Sequence, residues 1–105
     1  MDALKDLHSE ETERAALGCM FLDRGAAALG KTMLQAEDFY TPMYRMIFEA
    51  MQGVEEIDAV TVMNELARRG AAERIGLDRI AGIAMGISTS FYLHSYIDDL
   101  KRLAY

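Results

Sequence analysis

The stretch Gln35–Met51, QAEDFYTPMYRMIFEAM, holds an adjacent acidic pair, two aromatics and the only proline of the chain, and it ends in a run of large apolar residues. Read from its end, it is a helix start. Thr41 can cap the helix, and Pro42 falls at the first helical position, where its missing N–H costs nothing. Tyr44, Ile47, Phe48 and Met51 then recur at i, i+3, i+4 and i+7, the stripe of an amphipathic helix that Gly53 closes. Upstream, Phe39 is placed to plug the core that this stripe forms, with Tyr40 beside it. Glu37 and Asp38 are adjacent, so their side chains diverge. A general acid–base pair needs two carboxylates converging on one substrate atom, so loop and capping electrostatics is the reading that fits.

The same helical grammar extends in both directions. Before the loop, Ser9 reads as an N-cap, with Glu10, Glu11 and Glu13 set against the positive end of a helix. Ala16, Leu17, Met20 and Phe21 follow at helical spacing, and Gly25 can take a left-handed cap. A weaker helix over 26–34 would turn Leu29 and Met33 inward. After the loop, IDAVTVMNELARRG carries β-branched residues but has helical flanks. Asp58 can cap it, Ile57 and Val62 have the spacing of a hydrophobic staple, Leu66 continues the face, and Gly70 ends it. A short helix over 77–87 would bury Ile80, Ile83 and Ala84. Past a hydroxyl-rich break at Ser88-Thr89-Ser90, a last helix over 91–105 carries Leu93, Tyr96, Ile97, Leu100, Leu103 and Ala104. The expected fold is therefore all-α, a compact orthogonal bundle of about five to six helices. Residues 1–8 form a flexible tail, 9–88 the globular part and 89–105 a terminal helix. The sequence stops inside that helix's apolar stripe, which suggests a boundary within a longer protein.

Composition narrows the function. The chain has 105 residues, 51% of them hydrophobic and 27% charged, enough for one core and no more. A net charge of -6 argues against strong nucleic-acid binding through a broad phosphate-tracking surface. The single Cys19 cannot pair internally and sits in an apolar stripe, no apolar run is long enough for a bilayer, and the first residues lack a signal-peptide pattern, which together suggest a cytoplasmic chain. The sequence holds no phosphate-binding glycine loop, EF-hand loop, HExxH or CxxC pattern, so neither a cofactor nor a metal is expected here. His94 and Asp98, four apart, could share one helix face, yet two ligands do not make a site. Arg68, Arg69, Arg74 and Arg79 form one basic cluster. They either favour a helix C-terminal dipole or offer a contact patch for an acidic partner or a few phosphates.

Four stretches together resemble the N-terminal domain of bacterial replicative DNA helicases, the DnaB family. SEETERAALGCMFLD resembles its first helix. LQAEDFYTPMYRMIFEAM resembles its E-D-F-Y loop and the helix after it. IDAVTVMNELARRG resembles its I-D-x-V-T-x-x-x-E-L-x-x-x-G helix, and ERIGLDRIAGIAMGISTSFYLHSYIDDLKR the next helix and the start of a long hairpin. Tyr44 stands where the family usually has histidine, the loop over 53–56 is shorter, IGLDRI replaces G-G-x-x-Y-L, and Ser88 stands where proline is common. These departures suggest a divergent member, as from a phage or mobile element.

The resemblance implies an assembly domain without chemistry of its own, carried on an ATP-driven hexameric helicase. ATP and Mg²⁺ would belong to a separate C-terminal motor. Partners would be a second copy of the domain, the helicase-binding domain of primase, and a helicase loader. Leu93, Tyr96, Ile97, Leu100 and Ala104 would then be interface residues of a truncated dimerisation hairpin, or else close the domain's own core. Leu17, Phe39, Tyr40, Ile47, Phe48, Ile57, Val62 and Leu66 would be its packing signature. Three other readings stand beside this one. The related helicase-binding domain of a primase is disfavoured by the E-D-F-Y and I-D-x-V-T motifs and by a chain that begins with methionine. A small metal-dependent hydrolase would use Glu37, Asp38 or His94. A helix-turn-helix DNA binder is opposed by the acidic balance.

Overall fold

The apolar stripes become seven α-helices and one 3-10 turn, with no strand among the described residues. The computed structural model describes the backbone of residues 2–103 and the side chains of residues 10–102. In chain order the elements are α1 (Asp2–Leu22), α2 (Arg24–Met33), the 3-10 turn Ala36–Asp38, α3 (Pro42–Gln52), α4 (Ala59–Arg68), α5 (Ala72–Ile75), α6 (Leu77–Met85) and α7 (Leu93–Leu103). The fold class is as the sequence implies. The count exceeds six because the arginine-bearing connection after α4 winds into the single turn α5.

The central element is α1, which packs against α2, α6 and α7. Its buried residues include Ala16, Leu17, Cys19 and Met20, so over this turn the apolar surface faces neighbours on several sides. Gly18 is there because α6 comes too close for a side chain. A Cβ at Gly18 would lie 2.6 Å from Ile87 Cγ1 and 3.0 Å from the Ile83 carbonyl oxygen. Across the core, α3 lays Tyr44, Ile47, Phe48 and Met51 inward, as the spacing predicts. Phe39 is fully buried and stacks on Phe48, ring centroids 4.9 Å apart.

The start of α4 is built as its sequence reads. The Asp58 carboxylate accepts from the Thr61 backbone N–H at 2.8 Å, and the Thr61 hydroxyl oxygen accepts from the Asp58 N–H at 3.0 Å. Ile57 is half-buried against the core, while Val62 and Leu66 are fully buried. Gly70, at φ 78°, takes the left-handed conformation that ends the helix.

Several expectations are corrected. α1 runs back to Asp2, so the residues expected as a tail are helical from position 2 and Ser9 lies inside the helix, not at its cap. The break between α1 and α2 falls at Asp23, whose carboxylate accepts from Ala26 N–H at 2.9 Å; Gly25 is inside α2 with no left-handed turn. Met33 faces solvent, because α2 buries Ala26 and Gly30 instead. Tyr40 is 69% exposed: the chain is extended at Phe39, so neighbouring side chains point opposite ways, and Phe39 alone goes in. Thr41 holds the cap position of α3 but makes no side-chain capping bond.

On α7 the structure favours one of the two readings left open by the sequence. Leu93, Ile97 and Leu100 are buried within the chain's own core, where α7 packs along α1. These three residues are taken up by the core and are not open to a partner. Tyr96 is half-buried against the same core, and Ala104 lies outside the described residues.

Candidate functional site

The opening loop is held by a carboxylate that the sequence does not single out. Glu13, on α1, is 0% exposed; its two carboxylate oxygens accept from the backbone N–H groups of Tyr40, at 2.8 Å, and Thr41, at 3.1 Å. Both donors precede the first turn of α3. Helix starts leave N–H groups without intrahelical partners, and here a residue 27 positions away in sequence satisfies the Tyr40 donor. In sequence, Glu13 looks like one of three glutamates on a helix face. The readable sign is its four-residue spacing from Leu17, which puts it on the buried side of α1.

Asp38 is also engaged. Its carboxylate accepts from Gln35 N–H at 2.9 Å and pairs with Lys101 of α7 at 2.7 Å, tying the loop to the last helix. The bond to Gln35 is the capping role expected of the pair, and the tie to α7 goes beyond it, whereas Glu37 is exposed. His94 and Asp98 are both exposed on α7. Among the described residues no group of three His, Cys, Asp or Glu side chains gathers in metal-binding geometry. Cys19 is buried, its Sγ 3.9 Å from the Thr89 carbonyl oxygen, and burial pushes its thiol above the ordinary range.

The arginine cluster divides in two. Arg68 and Arg69 both close on Glu65, at 2.5 and 2.7 Å. Hydrogen bonds from Arg68, then from Arg69, hold the Glu65 carboxyl below its ordinary value. This half of the cluster is internally neutralised. Arg74 and Arg79 instead lie along α3. Arg74 reaches the Met46 sulfur at 3.7 Å, and Arg79 the Met43 sulfur at 3.1 Å. Neither has a carboxylate within ion-pair distance among the described residues.

Arg79 also borders a groove of about 690 Å³ between α1, α3 and α6. Met43, Tyr44, Ile83 and Ile87 supply its apolar lining; Glu10, Glu11 and Arg14 stand on the α1 side. Desolvation in this setting pushes the Tyr44 phenol above its ordinary value, which Arg14 partly offsets. Large apolar side chains are also exposed at the end of α6 and just before α7. Met85 is 83% exposed, Phe91 80% and Tyr92 54%, and the two aromatic rings meet edge to face at 5.2 Å. No helix among the described residues is long and apolar enough to cross a membrane.

The family model described as DnaB-like helicase N terminal domain matches residues 5–102. The replicative DNA helicase DnaB of Geobacillus stearothermophilus is 37% identical over 93 residues, covering 84% of this chain and 20% of that protein. The replicative DNA helicase DnaC of Bacillus subtilis (strain 168) is 33% identical over 91 residues, covering 82% of this chain and 20% of that one. The crystal structure of the N-terminal domain of DnaB helicase from Mycobacterium tuberculosis superposes with a TM-score of 0.82 at 31% identity, covering 89% of this chain and 68% of that one. The chain thus spans a fifth of the length of these two full-length relatives, and they are helicases, the side that the E-D-F-Y and I-D-x-V-T motifs favour over a primase. With its all-helical core, its clamped E-D-F-Y loop and a match from residue 5 to residue 102, the chain belongs to the DnaB-like helicase N terminal domain family.

Proposed function

We propose that the chain serves as the assembly and docking domain of a longer, cytoplasmic replicative helicase. Its copies would pair as dimers within a hexameric collar and offer a surface to the helicase-binding domain of primase or to a loader. ATP hydrolysis, with Mg²⁺, would belong to a separate motor domain, and this domain would bind nucleic acid weakly at most. The observation that carries the reading is the surface around the start of α7. Phe91 and Tyr92 are large, apolar and exposed, their rings in contact, although Leu93, Ile97 and Leu100 of α7 are taken up by the core. Exposed aromatic side chains of this kind are characteristic of protein–protein contact.

Sedimentation equilibrium over a wide concentration range, with capture by purified primase helicase-binding domain as a second arm, tests it. Concentration-dependent dimerisation weakened by Phe91→Ser, or saturable capture of the primase domain, is expected. A strict monomer that captures nothing would refute the assembly and docking roles.

A further inference from the structure

The groove between α1, α3 and α6 has a charge arrangement that the core does not explain. Within a chain of net charge -6, Arg74 and Arg79 have no carboxylate partner among the described residues, and both lean on methionine sulfurs of α3. Met43 and Met46 are three residues apart, so they share one side of α3, and the two guanidinium groups border that side. The groove floor continues through Ile83 and Ile87. At Gly82, also in the lining, an added Cβ would meet nothing within 4 Å, so the backbone of α6 stands open to an approaching molecule.

We propose that this groove, edged by Arg79 and continued along α3 to Arg74 at Met46, is the docking site for an amphipathic helix of a partner protein that carries carboxylates along one flank. The partner's apolar stripe meets Met43, Ile83 and Ile87, a helix-in-groove mode of recognition. Its acidic flank meets Arg74 and Arg79, which gives orientation and selectivity. The methionine floor suits it, because flexible thioethers adapt to the side chains presented to them. A nucleic-acid backbone fits less well. Glu10 and Glu11 on the α1 side, offset there by Arg14 alone, face the same groove and oppose a continuous line of phosphates, whereas a helix can place its acidic residues on the Arg79 side only. This inference rests on the docking reading and names the face and the chemistry of what docks there.

The test uses the 105-residue chain and three fluorescent probes: a helical peptide with leucines at i, i+4 and i+7 flanked by glutamates, the same peptide with lysines for glutamates, and single-stranded DNA. The glutamate peptide should bind best, with methyl shifts at Met43, Met46 and Ile83. The double variant Arg74→Ala/Arg79→Ala should weaken it by about tenfold. Gly82→Leu, at a position with room for a side chain, should block the groove while the chain keeps its helical content and melting temperature. Equal binding of the two peptides, tighter binding of DNA, or an unchanged affinity in the double variant would overturn the proposal. Should the double variant still capture the primase domain at full strength while the glutamate peptide binds wild type no better than the lysine peptide, the docking role survives and this groove is not its site.

Discussion

Replacing Glu13 by alanine separates two accounts of that residue. If it only adds negative charge to a helix, its loss costs about 0.3–1 kcal/mol. In the structure it lies 11 residues inside α1, fully buried, and accepts from two backbone N–H groups. Hydrogen bonds to charged groups contribute about 1.5–3 kcal/mol each, and a buried donor left unpaired costs about 1–3 kcal/mol. Two such donors put Glu13→Ala at about 3–5 kcal/mol, a large part of the stability of a small domain. Glu13→Gln keeps one acceptor and turns an N–H₂ toward the other donor, so about 1.5–3 kcal/mol is expected. Urea unfolding at pH 7 gives the values, with Glu11→Ala, an exposed neighbour on the same helix, as control. Amide exchange at Tyr40 and Thr41 locates the effect: both should lose protection in Glu13→Ala and keep it in Glu11→Ala. If Glu13→Ala costs no more than Glu11→Ala, or the two amides remain protected, the clamp is not what holds the loop.

Three further outcomes follow from the packing. Gly18→Ala should destabilise by about 1–2 kcal/mol in thermal or urea unfolding, because crowding against the Ile83 carbonyl and Ile87 outweighs the roughly 1 kcal/mol gain in helix propensity; a stabilised variant would show that α6 yields easily. Asp38→Asn should cost about 0.5–1.5 kcal/mol through its half-exposed pair with Lys101, and Glu37→Gln less than about 0.5 kcal/mol; double-mutant cycles with Lys101→Met check this, and the reverse order contradicts it. The Glu65 carboxyl is held below its ordinary value of 4.5, so its contribution to stability is fully present above that pH and fades as the pH falls through the lowered value; Glu65→Gln should flatten that acid limb of an unfolding-versus-pH curve.

Local features of the sequence are read correctly where one residue type has one physical use. Asp58 four positions before Val62, Gly70 after Arg69, and Pro42 after Thr41 mark helix ends by backbone chemistry, and the structure places ends at each, whereas Ser9 and Gly25, which carry the same kind of signal, lie inside α1 and α2. Readings that depend on what lies across the core fare worse. Tyr40, beside the plug Phe39, reads as a core residue until the extended backbone at Phe39 turns it out. Glu13 resembles Glu10 and Glu11 until the loop 27 residues later closes on it. For the arginines, half of the division is legible: Glu65 stands three and four residues before Arg68 and Arg69, the spacing of helical ion pairs. That Arg74 and Arg79 meet methionines on α3 depends on the approach of α5 and α6, which no local pattern encodes. The stripe on α7 is read correctly as apolar, but an amphipathic helix presents the same pattern to its own core as to a partner.

That last point carries the central claim, that α7 closes the core of this domain and leaves assembly and docking to other surfaces. Leu100 is fully buried, so Leu100→Asp would put a carboxylate into the packing between α1 and α7, at a cost of several kcal/mol. Circular dichroism melting, recorded at a concentration where sedimentation shows wild type to be monomeric, is the direct measurement. The account predicts that Leu100→Asp loses its cooperative transition there. A variant that melts cooperatively near the wild-type temperature and only fails to self-associate at higher concentration would contradict it.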